Sequence, residues 1–134
     1  MGTWAEIRDG MKTRLATISG LSTFDVMPAT VADKNVAAVI YGEPLITPAG
    51  HSTATFVNVR VIVRVSRGDF GDAQDALDAY IWRTGTNSII AAVLADSTLG
   101  SKVDDTQWQS TGDIGTLDDG SLQASINFRC RVNA

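Results

Sequence analysis

From Thr55 to Arg67 the chain alternates between two residue sets, which is the period of a β-strand whose faces meet different surroundings. Val57, Val59, Val61, Val63 and Val65 point one way, and Phe56, Asn58, Arg60, Ile62, Arg64 and Ser66 point the other. Burying a valine is worth roughly 1.5–3 kcal/mol, whereas burying an arginine without a partner is costly. The valine side is therefore the core side, and the arginine side faces solvent or another chain. Beyond Gly68 and Gly71, the stretch Asp72 to Trp82 has helical spacing, with Asp72 placed as the cap. Ala73, Ala76, Leu77, Tyr80 and Ile81 share one side, and Asp72, Asp75 and Asp78 the other. A helix this short is marginal alone in water, so it needs the valine face, or an equivalent surface, to pack against.

The other elements follow from the same patterns. Thr3 and Glu6 have the spacing of a capping box. It opens a helix whose stripe is Trp4, Ile7, Met11, Leu15 and Ile18 and which Gly20 ends as a left-handed cap. Phe24 to Met27 reads as a short edge strand stopped by Pro28, and Val36 to Tyr41 as a strand covered on both faces. Gly42 to Thr53, with Pro44, Pro48, Gly50 and His51, reads as a long loop projecting from the body. Ser88 caps a short helix through Asp96 that carries Ile89, Ile90, Val93 and Leu94. A strand is expected over Val103 to Ser110, and Asp118-Asp119-Gly120 is a hairpin turn. In the closing strand Leu122, Ala124, Ile126, Phe128, Cys130 and Val132 alternate with Gln123, Ser125, Asn127, Arg129, Arg131 and Asn133. The sum is a single α+β domain over residues 1–134, a mainly antiparallel β-sheet with two to three helices packed on one face.

Composition narrows the function classes. A chain of 134 residues, 44% of them hydrophobic, is long enough for one core and too rich in apolar residues for a disordered protein. A net charge of -4 argues against nucleic-acid binding by bulk attraction, though not against a local basic surface. Cys130 is the only cysteine, so no internal disulfide forms and a reducing compartment fits. Without an apolar run near membrane length or a signal-peptide pattern, the expectation is a soluble protein made in the cytoplasm.

Catalytic chemistry finds little support. One histidine and one cysteine cannot build a multi-imidazole or multi-thiolate metal site. His51 reads as a solvated loop residue or a contact residue, and Cys130, sharing a face with Ile126 and Phe128, as a buried inert thiol. The pairs Asp104-Asp105 and Asp118-Asp119 lack calcium-loop spacing. No phosphate-cradling glycine loop or nucleophile elbow is present. No enzyme, cofactor or metal site is expected.

What remains is surface design. If the central and closing strands are neighbours, Arg60, Arg64, Arg129 and Arg131 share one sheet face. Two readings fit: a solvated face whose arginines discourage aggregation, or a face turned to another subunit or to DNA. In the second, the Asp72, Asp75 and Asp78 side of the helix meets that face on the next copy, a head-to-tail contact of the kind that builds rings. Trp82, off the apolar stripe, either anchors such a contact or packs under its own following loop.

A family likeness adds to this. Arg64-Val-Ser-Arg67, Ala73-Gln-Asp-Ala-Leu-Asp-Ala-Tyr80, Gly85-Thr-Asn-Ser-Ile89 with Ala92 and Leu94, and Thr98-Leu-Gly100 with Val103 together resemble the central block of tail terminator proteins from long-tailed, siphovirus-type phages of actinobacteria. The resemblance extends more loosely from the first helix to the closing strand, and it rests on packing and turn residues. It implies a structural virion protein of the neck region, assembled in the host cytoplasm. Such a homo-oligomer, a hexameric ring on the tail tube, stops tube polymerisation and presents a surface to the head connector or stopper. It also implies a lumen through which genomic DNA passes, and no membrane partner. Asn58, Arg60, Arg64, Arg129, Arg131, Asp72, Asp75, Asp78 and Trp82, drawn from the strand and helix patterns, are the candidate interface or lumen residues. The alternatives are another neck or tail component, such as a connector, stopper or tail-tube subunit, and a small nucleic-acid-binding module gripping through the basic face.

Overall fold

The valine strand, β3 (Ala54–Val65), lies at the centre of a five-stranded sheet. The computed structural model describes residues 3–18, 21–24, 35–48, 54–65, 70–117 and 121–133. Across the sheet the order is β1 (Leu21–Phe24), β2 (Asn35–Pro48), β3, β5 (Leu122–Asn133) and β4 (Asp105–Thr116). All neighbours are antiparallel except β1 and β2. Val59, Val61 and Val63 are fully buried and Val57 and Val65 nearly so, as the strand's period requires. Three helices cover this face: α1 (Trp4–Leu15), α2 (Phe70–Ile81) and α3 (Ile89–Leu94). Ile7, Met11 and Leu15 of α1, Leu77 and Tyr80 of α2, and Ile89, Ile90 and Val93 of α3 join the valines and β5 in one core. The architecture is α+β, a mixed but mainly antiparallel sheet with helices on one side.

Local chemistry sets several element ends. In α1 the Thr3 amide donates to Glu6 Oε1 at 3.2 Å, and the Glu6 amide to Thr3 Oγ1 at 3.4 Å, forming the expected capping box. Ser88 caps α3 by accepting from the Ala91 amide at 3.1 Å, while its hydroxyl donates to the Trp82 carbonyl. Below α3 the chain turns through Leu99 (φ 51°), Gly100 (φ 71°) and Ser101 (φ 69°). Left-handed backbone at a leucine is uncommon and costs on the order of 1–3 kcal/mol. Asp96 holds this turn, accepting from the Thr98 hydroxyl at 2.8 Å and the Gly100 amide at 3.0 Å, and both bonds keep its carboxyl below the usual range. The return is burial: Leu99 is almost wholly enclosed and lies against Gly10 of α1.

Several boundaries differ from those read from periodicity. The first helix ends at Leu15 with a right-handed cap at Ala16, and Gly20 lies outside the described residues. The edge strand is Leu21–Phe24 rather than 24–27, residues 25–28 being outside the description. It pairs in parallel with the start of β2. α2 begins at Phe70, so Asp72 occupies its first turn instead of its cap. α3 stops at Leu94, two residues before Asp96, which the following turn uses. β4 begins at Asp105 and runs on to Thr116. Leu117 and Ser121 close the β4–β5 hairpin with an amide-to-carbonyl bond of 2.8 Å, around residues 118–120, which lie outside the description.

The largest correction concerns the expected projecting loop. Residues 42–48 continue β2, and Ile46, Thr47 and Pro48 pair with Val57, Phe56 and Thr55. Prolines and a glycine make this stretch look irregular, but a register shift between Tyr41 and Ile46 absorbs Gly42 and Pro44, and Pro48 falls at the end of the resumed ladder. The Asn58 side chain braces the shift by donating to the Pro44 carbonyl at 2.7 Å. His51 and the rest of 49–53 lie outside the described residues. Over Val36 to Val39 β2 is buried at every position, as expected of a strand covered on both faces, whereas Tyr41 emerges to 59% exposure.

The contact beneath α1 makes a specific prediction. A Cβ added at Gly10 meets the Leu99 carbonyl oxygen at 2.8 Å and its Cβ at 3.0 Å. Helix propensity favours Gly10→Ala by about 1 kcal/mol, but overpacking against backbone costs roughly 1–3 kcal/mol. The variant should unfold at lower urea than the parent, with an unchanged slope. An equal or higher midpoint would show that the Leu99 turn gives way freely.

Candidate interaction face

The side of the sheet away from the helices is where the functional candidates meet. β3 and β5 are neighbours in register, pairing Phe56 with Arg131, Asn58 with Arg129, Arg60 with Asn127 and Arg64 with Gln123. Residues directly opposite in antiparallel strands share a face, so all four arginines stand on one surface. Arg131 is exposed, and Arg60, Arg64 and Arg129 are half-buried. Towards β1 and β2 the same face becomes apolar, with Val36 and Ala38 buried and Ile40 half-buried. The basic character is therefore confined to the β3–β5 strip.

Several contacts that position these arginines run to neutral groups. Arg64 donates from Nε and Nη2 to Gln123 Oε1 at 3.1 and 2.7 Å. Arg129 lies with its guanidinium carbon 4.2 Å from the centre of the Phe56 ring and donates to Gln107 Oε1 at 3.2 Å. Asn127 donates to the Ser110 hydroxyl at 3.0 Å. Glutamine and a phenylalanine ring orient a guanidinium without cancelling its charge, while Asp105 stands opposite Arg131 at the β4 end of the strip.

The predicted acidic counterpart lies on the other side of the molecule. α2 packs its Leu77 and Tyr80 into the core and carries no basic residue. Its Asp75 and Asp78 are exposed, and Asp72 stands one turn earlier. Trp82 is 68% exposed, so it does not pack beneath its following loop. The aromatic that does pack there is Trp108, which lies under the Arg83 guanidinium at 5.4 Å and donates from Nε1 to Thr111 at 3.0 Å. Gln107 and Gln123, which bond the arginines, and Ser110, which bonds Asn127, carry no sequence signal of their own. The alternation of β5 already placed Gln123 on the polar side, but nothing local announces which strand lies opposite.

Among the described residues no three His, Cys, Asp or Glu side chains gather closely enough to hold a metal. No helix there is long and apolar enough to cross a membrane. Cys130 is buried on the core side. Burial pushes its thiol up to about 11 from the ordinary 9.0, with the Thr106 hydroxyl 3.5 Å away pulling weakly the other way. A thiol kept neutral is a poor nucleophile.

This environment predicts protection and a pH limit. Folded protein should resist thiol-specific labelling, reacting only as fast as it unfolds, while denatured protein labels at once. Rapid labelling of the native chain would contradict the burial. Because the folded thiol has the raised pKa, its contribution to stability is complete below pH 9 and falls away as pH rises from 9.0 towards about 11. Cys130→Ala should remove that part of the alkaline decline in urea unfolding.

In comparison with known proteins, the chain matches no protein-family model and no curated protein.

Proposed function

We propose that this chain is a structural assembly subunit without enzymatic activity, a tail terminator of a long-tailed phage. On this reading copies join head to tail into a hexameric ring in the neck of the virion. The observation that carries the proposal is the disposition of charge. One domain presents an arginine strip on its sheet side and an acid-only helix, α2, on its helix side. Complementary patches on different sides of one subunit produce heterologous contacts, which close into rings when the rotation between copies allows. A pair of identical faces meeting across a two-fold axis would instead set arginine against arginine. The sequence resemblance supplies the place: on the tail tube, halting its growth and meeting the head connector or stopper, with DNA passing through the lumen.

The same face offers less to a nucleic-acid-binding module that works by base stacking. Phe56, the aromatic ring of the strip, is already covered by the Arg129 guanidinium, which leaves phosphate contacts rather than base platforms.

Native mass spectrometry of the purified chain tests the assembly. The expected species is a closed ring; a lone monomer that retards DNA would favour the module, and open-ended tubes a tail-tube subunit. Reversing Arg60 and Arg64 to glutamate should leave the circular-dichroism spectrum intact and shift the population towards monomer. Adding Asp75→Arg and Asp78→Arg to that variant should restore part of the ring. Undiminished rings in the first variant would remove the basis for a charged joint.

A further inference from the structure

We propose that a hollow on the sheet face, centred on Arg60, is a binding site for a tetrahedral oxyanion of the phosphate class. The inference does not rest on the ring. It begins with two register shifts that fall beside the same cross-sheet row. Tyr41 pairs with Val59, Val59 with Phe128, and Phe128 with Trp108. On either side of that row the flanking strands bulge: β2 places Gly42 to Leu45 opposite Asn58 alone on one side, and on the other β4 inserts Gln109 before Ser110 resumes pairing with Asn127, the neighbour of Arg60. Bulges bend a strand away from its partner and re-aim its side chains, and they are common beside functional sites. Here two of them, on strands flanking the central pair, open a hollow of about 330 Å³ lined by Gly42, Asn58, Arg60, Gln109, Ser110 and Asn127. That volume is within the usual range for small-ligand sites, roughly 300–1,000 Å³.

The lining defines the ligand. Among the described side chains it contains one permanent cation, four neutral hydrogen-bonding groups and no carboxylate. Arg60 makes no hydrogen bond or ion pair among the described residues, and its Nε is buried without a partner. An unpaired buried donor is expensive, and native proteins leave few of them without a water or ion to satisfy them. Ser110 accepts from Asn127 and so keeps its own hydroxyl proton to donate. The second amide proton of Asn127 and the amide of Gln109 add donors from β5 and β4, while Arg60 contributes from β3. Donors arriving from three strands suit a tetrahedral anion with several acceptor oxygens better than a planar carboxylate. Gly42 keeps the rim open: a Cβ there would lie 2.6 Å from the Asn58 carbonyl oxygen, forcing the β2 arm away from β3.

The phosphate has two possible sources, free inorganic phosphate or a phosphodiester of nucleic acid, with the same chemistry at the site. Isothermal titration of inorganic phosphate into the full chain at constant ionic strength tests the proposal. Saturable binding of one phosphate per chain is expected, weakened about tenfold or more in Arg60→Gln, the loss of one charge-assisted interaction. Asn127→Asp, which puts a carboxylate into the hollow, should abolish binding, and melting curves check that both variants fold. Unsaturable heats, equal affinity in Arg60→Gln or in Asn127→Asp, or acetate binding as tightly as phosphate would each overturn the site. A short DNA duplex that displaces phosphate assigns the site to a nucleic-acid backbone; a duplex that does not displace it assigns the site to the free anion.

Discussion

The structure depends on the burial of one row of valines. Val59, Val61 and Val63 of β3 are fully enclosed. Because side chains alternate in a strand, enclosing that row commits Asn58, Arg60, Ile62 and Arg64 to the other face. A slip of one residue would bury two arginines and expose five valines. Register, helix placement and the position of the charged strip are thus aspects of one constraint. β5 repeats it: Ala124, Ile126, Phe128 and Cys130 lie in the same core, and Arg129 and Arg131 are carried to the same outer face.

The second theme is how the charge on that face is held. An arginine joined to a carboxylate is neutralised as well as oriented, whereas one joined to glutamine or laid over phenylalanine is oriented only. The contact of Arg64 with Gln123, and those of Arg129 with Gln107 and Phe56, are of the second kind. Arg60 is held by neither, and the bulges beside it leave room for an external anion. On a chain of net charge -4 this arrangement keeps cationic potential local, which suits contact with a chosen partner better than attraction at a distance. The acid-only α2 faces away on the helix side, so charge separation is built into the two-layer plan.

Strain and irregularity are placed where they serve packing. The left-handed backbone at Leu99 is what lets its side chain enter the core, with Gly10 supplying the room on α1. The β2 shift after Tyr41 accommodates Gly42 and Pro44 within a strand and still delivers Ile46 to Pro48 to the ladder with β3. Both devices spend local backbone preference for a larger surface of contact.

Much of the fold was legible before any coordinates. The two-faced β3 and β5, the capping box of α1, the Ser88 cap and the α2 stripe are all written in short-range spacing, because a residue's period encodes whether it faces the core or solvent. Spacing does not encode which strand lies alongside. The pairing of Gln123 with Arg64, the two bulges flanking one cross-sheet row, and hence the hollow around Arg60, exist only once β2, β3, β5 and β4 are laid side by side. The 42–48 arm reads as loop from sequence for a related reason: glycine and proline describe what an isolated backbone prefers, and the hydrogen-bond ladder with β3, a long-range partner, overrides that preference. Sequence by itself determined which surfaces are greasy and which are charged. Tertiary pairing decided which charges meet, since proximity between strands is a property of the assembled sheet and of no single segment.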